Sequence, residues 1–206
     1  MIGDLFSIMK VLLESWRSYL KEEKSPLNIV YFGGFKPPHK GHFAVVQEYL
    51  SMPEVEHVYI LFGNKPREST DGSVVLSGDD SKKVWELFAP MMSDPSKITV
   101  LDPTSKNTMI AAAELAWLPK LSGKRISAGF GAKEPKYGKS FVGIVNSLSK
   151  KMGSPMATPV AVPTVANVPS VSATKIRDAL SQKDTSYLQD VVPDGVSVEE
   201  YINILT

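Results

Sequence analysis

The chain has 206 residues, 43% of them hydrophobic, a formal net charge of +1 and no cysteine. The apolar content suffices for the core of one α/β-sized domain, and without cysteine there are no disulfides, thiolate nucleophiles or cysteine-ligated zinc. A near-neutral chain sets up no bulk field toward nucleic acid or acidic membranes, so phosphate recognition must be local, and no run approaches the roughly 20 apolar residues of a membrane span.

Residues 1–24 are expected to be an N-terminal helical extension ahead of a domain over 27–206. Leu5, Ile8, Leu12, Trp16 and Leu20 recur at helical spacing and define one apolar face. That face is expected to pack on the rest of the protein. A homo-oligomer through this helix is the second expectation, and weak basic character argues against a membrane-surface helix. The segment lacks the basic start and small-residue cleavage site of a signal peptide, and a cytoplasmic location is expected. Ser25-Pro26 ends the helix.

Ile29-Val30-Tyr31-Phe32 reads as a buried strand and residues 43–50 as a helix. Between them lies Gly33-Gly34-Phe35-Lys36-Pro37-Pro38-His39-Lys40-Gly41-His42. Glycines let backbone approach a bound group. A helix N-terminus attracts anions. With His39, His42, Lys36 and Lys40 close by, this turn has the equipment of a phosphate site.

Residues 55–62 read as a second strand, β-branched and aromatic enough for a buried parallel position. Lys65 and Arg67 follow at that strand's C-terminal end. Open parallel sheets bind ligands along this edge, so both are candidates for acceptor binding. Residues 68–77 are polar and are expected to form a mobile loop. Asp79 and Asp80 begin a helix running to Phe88. Adjacent carboxylates could take a metal, but acid at a helix start suits the dipole and is the preferred reading.

Residues 97–101 read as a third strand, 107–117 as an Ala-rich helix ended by Pro119, and 124–129 as a fourth strand. A loop rich in glycine and lysine follows, with Lys133 and Lys136 as further acceptor-binding candidates, and then a helix over 141–152. Four prolines punctuate residues 153–172, where a last parallel strand is expected over 159–165. Ser172 or Thr174 caps the next helix. Ser197-Val198-Glu199-Glu200 is a capping box for a short final one. Alternating strands and helices argue for an α/β, Rossmann-like, doubly wound parallel sheet of about five strands with flanking helices.

Two polar strand-to-helix turns thus stand far apart: His39-Lys40-Gly41-His42, and Ser172-Ala173-Thr174-Lys175-Ile176-Arg177. A doubly wound sheet can bring both to one crevice. At these residues the chain resembles the nucleotidyltransferase superfamily with an HxGH signature and a C-terminal SxTxIR signature. The lead Gly33-Gly34-Phe35 matches as well. HxGH alone is a weak pattern; both motifs in order on such turns are specific. The resemblance runs from Leu27 to Leu180. Pro-Pro-His-Lys-Gly-His is most similar to the nicotinamide-nucleotide adenylyltransferase branch. Lys36 stands where many relatives have Asp or Asn, and the segment after the fourth strand lacks their cleanly placed acidic residue.

The resemblance implies transfer of a nucleoside monophosphate, AMP from ATP as first expectation, to a phosphate-bearing acceptor such as nicotinamide mononucleotide, with release of pyrophosphate. It implies His39, His42, Lys36 and Arg177 as catalytic residues, and Gly33, Gly34, Phe35, Gly41, Ser172 and Thr174 as nucleotide-binding. It implies Mg²⁺ carried mainly by the triphosphate, with no protein metal site. Alternatives are CTP as donor, a phosphopantetheine- or phosphocholine-type acceptor, and, from another class, a nucleotide sensor without turnover. A class I tRNA synthetase shares a similar histidine motif, but 206 residues are too few for its catalytic and tRNA-binding parts together. The partners expected are therefore ATP or CTP and a small phosphorylated acceptor, not nucleic acid or membrane.

Overall fold

In the computed structural model of the protein, residues 13, 14, 16, 25–131, 137–162, 164–166 and 168–206 are described. Apart from Leu13, Glu14 and Trp16, the expected N-terminal helix lies outside them, as do Lys133 and Lys136.

Strand β1 (Leu27–Gly33) is the middle of a five-stranded sheet. It pairs in parallel with β2 (Val55–Phe62) on one side and with β6 (Arg125–Gly129) on the other. β5 (Ile98–Val100) extends the sheet beyond β2, and β7 (Thr158–Pro159) beyond β6, also in parallel. The order is therefore β5-β2-β1-β6-β7. Connections leave β1 in opposite directions, so the C-terminal end of β1 is the switch point where open sheets form a crevice.

Alternation along β1 explains the two layers. Leu27, Ile29 and Tyr31 face one core, which receives α1 (Lys40–Ser51), α2 (Gly78–Phe88), α5 (Ala173–Gln182), α6 (Thr185–Val191) and α7 (Val198–Leu205). Val30 and Phe32 face the other, which receives α3 (Thr108–Glu114) and α4 (Tyr137–Met152). Period-two alternation places successive side chains on opposite faces, and here both faces are covered. The Rossmann-like α/β architecture expected from the sequence is present.

Helix starts follow their caps. Ser77 and Asp80 form a reciprocal capping box for α2. Asp80 accepts from the Ser77 amide at 2.8 Å and hydroxyl at 2.7 Å, so that carboxylate is committed to the helix start. Ser197 caps α7, accepting from the Glu200 amide at 3.2 Å. Helix α6, capped by Asp184, has no counterpart in the sequence reading.

Two expectations need correction. The polar stretch 68–77 is not an irregular loop throughout: β3 (Arg67–Glu68) and β4 (Val75–Leu76) pair antiparallel across it. Asp71 closes the turn by accepting from Ser69 and Ser73, which holds its carboxyl well below the usual range. Asp178 of α5 fastens the tip, accepting from the Thr70 amide at 2.7 Å and its hydroxyl at 3.0 Å. The last strand is also shorter than 159–165. Its regular ladder covers Thr158–Pro159 and resumes only at Val165, whose amide donates to the Phe130 carbonyl at 2.9 Å. Proline has no N–H for the ladder and so sits at sheet edges, which is where β7 lies. No helix among the described residues is long and apolar enough to cross a membrane.

Candidate functional site

Three clefts meet at the C-terminal end of β1. The largest, about 740 Å³, opens between Gly63, Lys65 and Arg67 on one side and Thr108, Phe130 and Ile144 on the other. A second, about 310 Å³, runs past Gly41 and Val45 to Gly131 and Val168. A third, about 400 Å³, gathers Lys36, His39, His42, Arg67, Thr174 and Arg177. Gly34 borders all three, and a Cβ built there would meet nothing within 4 Å. It is the open junction of the site.

The turn after β1 is shaped by its glycines and by Phe35. A Cβ on Gly33 would come within 2.9 Å of the Phe35 ring. Phe35 itself has φ of 45°, a left-handed conformation that costs an ordinary L-residue roughly 1–2 kcal/mol. Its carbonyl is held by the Ser81 hydroxyl at 2.8 Å. Gly41 is required by contact: a Cβ there would run into the Pro169 carbonyl. The absent side chain brings the segment before α5 against the start of α1.

His39 caps α1, its Nδ1 accepting from the Gly41 amide at 3.2 Å. That bond places the neutral ring's proton on Nε2. The His42 ring stacks on His39 at 3.7 Å between centroids. Phe35 packs edge-on against His42 at 4.8 Å. Nδ1 of His42 is buried without a partner. Burial first, and then the neighbouring His39, push the His42 pKa well below its ordinary value. In the free protein His42 is therefore a neutral imidazole at pH 7.

Lys36 is 4% exposed and Arg177 8%. The Lys36 ammonium donates to the Gly63 carbonyl. Burial and the nearby Arg67 lower the pKa of both Lys36 and Arg177. No ion pair among the described residues engages Lys36, Arg67 or Arg177. Buried cations without carboxylate partners are electrostatically costly until an anion joins them. Arg177 donates from Nε to the Glu68 carbonyl at 2.7 Å, from Nη1 to the Lys36 carbonyl at 2.6 Å and from Nη2 to Thr174 Oγ1 at 3.1 Å.

The structure therefore brings together Gly33, Gly34, Phe35, Lys36, His39, Gly41, His42, Thr174 and Arg177, with Lys65 and Arg67 on the large cleft. Ser172 lines none of these three clefts; it caps α5, accepting from the Lys175 amide at 3.4 Å. Lys133 and Lys136 lie outside the described residues. Sequence reading missed Asn107 and Thr108, Phe130, Ile144 and Leu148, and the wall Val168–Val171, all of which line clefts. The expected helix over 141–152 carried no sign that part of it borders a cleft. Among the described residues no group of three or more His, Cys, Asp or Glu is placed to hold a metal.

No protein-family model matches the chain, and no curated protein matches it. Among solved structures the fold is similar to Plasmodium falciparum nicotinic acid mononucleotide adenylyltransferase complexed with NaAD. The TM-score is 0.56 at 14% identity, over 86% of this chain and 95% of that one. It is also similar to a bifunctional NMN adenylyltransferase/ADP ribose pyrophosphatase from Francisella tularensis, with a TM-score of 0.50 at 14% identity over 87% of this chain. This chain spans 48% of the bifunctional protein. At such identities the likeness is one of fold.

Proposed function

We propose that residues 27–206 form a nucleotidyltransferase domain that moves a nucleoside monophosphate, AMP from ATP in the first instance, onto a phosphate-bearing acceptor. One observation carries this reading. Cations from two turns far apart in sequence line a single cleft, and among the described residues no carboxylate forms an ion pair with them. Such a cleft suits a polyphosphate.

In this reading an acceptor phosphate oxygen attacks the α-phosphorus in line. The bond from the α-phosphorus to the bridging oxygen breaks, and pyrophosphate leaves with the electron pair. No protein nucleophile is needed. Catalysis comes from positioning and from donors aimed at developing charge. His39 Nε2–H and neutral His42 donate to the α- and β-phosphate oxygens. Lys36, between the phosphate cleft and the large cleft, stabilises the transferring group. Thr174 and the start of α5 receive the leaving pyrophosphate. Arg177 has five N–H groups, and three already hold protein oxygens. It therefore meets phosphate as a fixed edge. Mg²⁺ enters as part of the triphosphate substrate, since such ions keep several waters and few protein ligands.

The large cleft takes the acceptor. Lys65 and Arg67 offer charge for its phosphate, and Phe130, Ile144 and Leu148 offer an apolar wall for a flat ring, which supports a nicotinamide mononucleotide-like acceptor. The test is pyrophosphate release from ATP and CTP against a panel of phosphorylated acceptors. Release with one pair is the expected result. Nucleotide binding without release from any pair would favour the sensor.

A further inference from the structure

Three carbonyls of the turn after β1 are each held by a side chain from a different helix. Ser81 of α2 donates to Phe35 at 2.8 Å, Arg177 of α5 to Lys36 at 2.6 Å, and Tyr201 of α7 to Pro38 at 2.8 Å. Only Arg177 belongs to a signature motif. Pro38 immediately precedes His39, so the Tyr201 bond acts on the peptide that sets the entry of α1 and the ring of its cap.

We infer that Tyr201, with Ser81, is a positioning residue of the candidate site, fixing the turn so that the His39 and His42 rings stack at the phosphate cleft. Tyr201 is completely buried. It packs face to face with Phe88 of α2 at 6.1 Å, so its ring is fixed by the same helix that carries Ser81. Burial raises its phenol pKa, which keeps the hydroxyl a donor. Pro38 has no N–H, and its carbonyl receives the Tyr201 hydroxyl in a buried setting. The Phe35 carbonyl belongs to the left-handed residue of the turn. The two donors thus brace the turn on either side of Lys36. Neither residue lines any of the three clefts, so both act through the turn and not on substrate.

The functional part of this inference rests on the nucleotidyltransferase reading; the structural part does not. The chain has three histidines: His39, His42 and His57. His57 lies on β2, bonded to Thr99 at 2.7 Å, and serves as an internal control. The experiment is a long-range ¹H–¹⁵N spectrum of the histidine rings in the intact protein, in wild type, Tyr201→Phe and Ser81→Ala. The expected result is displaced ring signals for His39 and His42 with His57 unmoved, in both variants. Unmoved His39 and His42 signals would overturn the inference, and so would equal movement of all three. If wild type releases pyrophosphate, Tyr201→Phe is expected to lower kcat about tenfold with KM for the triphosphate unchanged. In a background carrying both His39→Ala and His42→Ala the same change is expected to cost less than twofold, because the rings it positions are gone. An equal loss in both backgrounds would make Tyr201 merely structural. Absence of turnover in wild type would reject the enzyme reading while the spectra still decide the positioning.

Discussion

Arg177 Nη1 and the Lys36 carbonyl are 2.6 Å apart across 141 residues of sequence. One guanidinium joins the two phosphate-suited turns directly, and through Glu68 it also holds the hairpin that presents Arg67. A lysine has the charge but not the fork. Arg177→Lys is expected to lower unfolding stability by about 1–3 kcal/mol, since buried carbonyls lose their donors. It is also expected to lower turnover more than a surface charge change would. Urea midpoints and pyrophosphate release measure the two effects; unchanged values for both would remove Arg177 from the junction.

His42→Ala is expected to reduce the rate of pyrophosphate release on the order of 10²–10³-fold with the fold intact, the usual loss for one transition-state donor. Circular dichroism and steady-state rates check it together. Near-normal turnover would remove the histidine from the mechanism.

Gly41→Ala puts a Cβ into the Pro169 carbonyl. Backbone cannot swing aside as a flexible side chain does, so a cost of about 1–3 kcal/mol is expected. The neighbouring Gly34 offers the contrast: its Cβ would enter open space, so Gly34→Ala is expected to keep thermal stability while weakening nucleotide affinity. Paired melting curves and binding titrations test this, and equal destabilisation by both changes would contradict it.

The lowered pKa of His42 has a sign that can be measured. As pH falls below 6.5, the unfolded chain takes up this proton before the folded one does. Stability is therefore full above pH 6.5 and falls as pH drops toward the lowered value, by up to about 1.4 kcal/mol per pH unit for one group. His57, also lowered, contributes the same sign. His42→Gln is expected to reduce the slope without abolishing it. Denaturant titrations between pH 5 and 7 give the answer, and an identical slope in the variant would place the His42 pKa near its ordinary value.

Asp178 fastens the hairpin through Thr70. Asp178→Ala is expected to release Arg67 and raise KM for the acceptor several-fold, with KM for the triphosphate little altered. Exchange of the Thr70 amide should quicken in parallel. If both KM values rise together, the hairpin serves the whole site and not the acceptor side.

The central strands and the histidine turn were legible because their signals are local. An unbroken apolar run, a glycine-rich turn and a cap lie next to one another in sequence. Right-handed crossovers narrow the possible sheet orders, but the alternation alone does not select β5-β2-β1-β6-β7. The hairpin at 67–76 was not legible, because strands of two residues show no period and its stability comes from Asp178 on a distant helix. The edge strand was overextended because β-branched residues between prolines look continuous until the missing amides are counted. For Arg177, residue type and motif gave its place but not its partners, since the Glu68 and Lys36 carbonyls reach it only through the tertiary fold. Tyr201 carried no signal at all: on α7 it is one more apolar position of an amphipathic helix.

The placement of Arg177 and Tyr201 late in the chain also governs when the site exists during synthesis. A ribosome that has delivered β1 and α1 has released both histidines, but neither the guanidinium nor the phenol that hold them. The proposed nucleotide cleft is therefore incomplete until the chain has been made through α7. On the proposed function, ligand binding would report that translation has passed α7, and chains stopped before that point would lack the protection from proteolysis that a bound ligand gives.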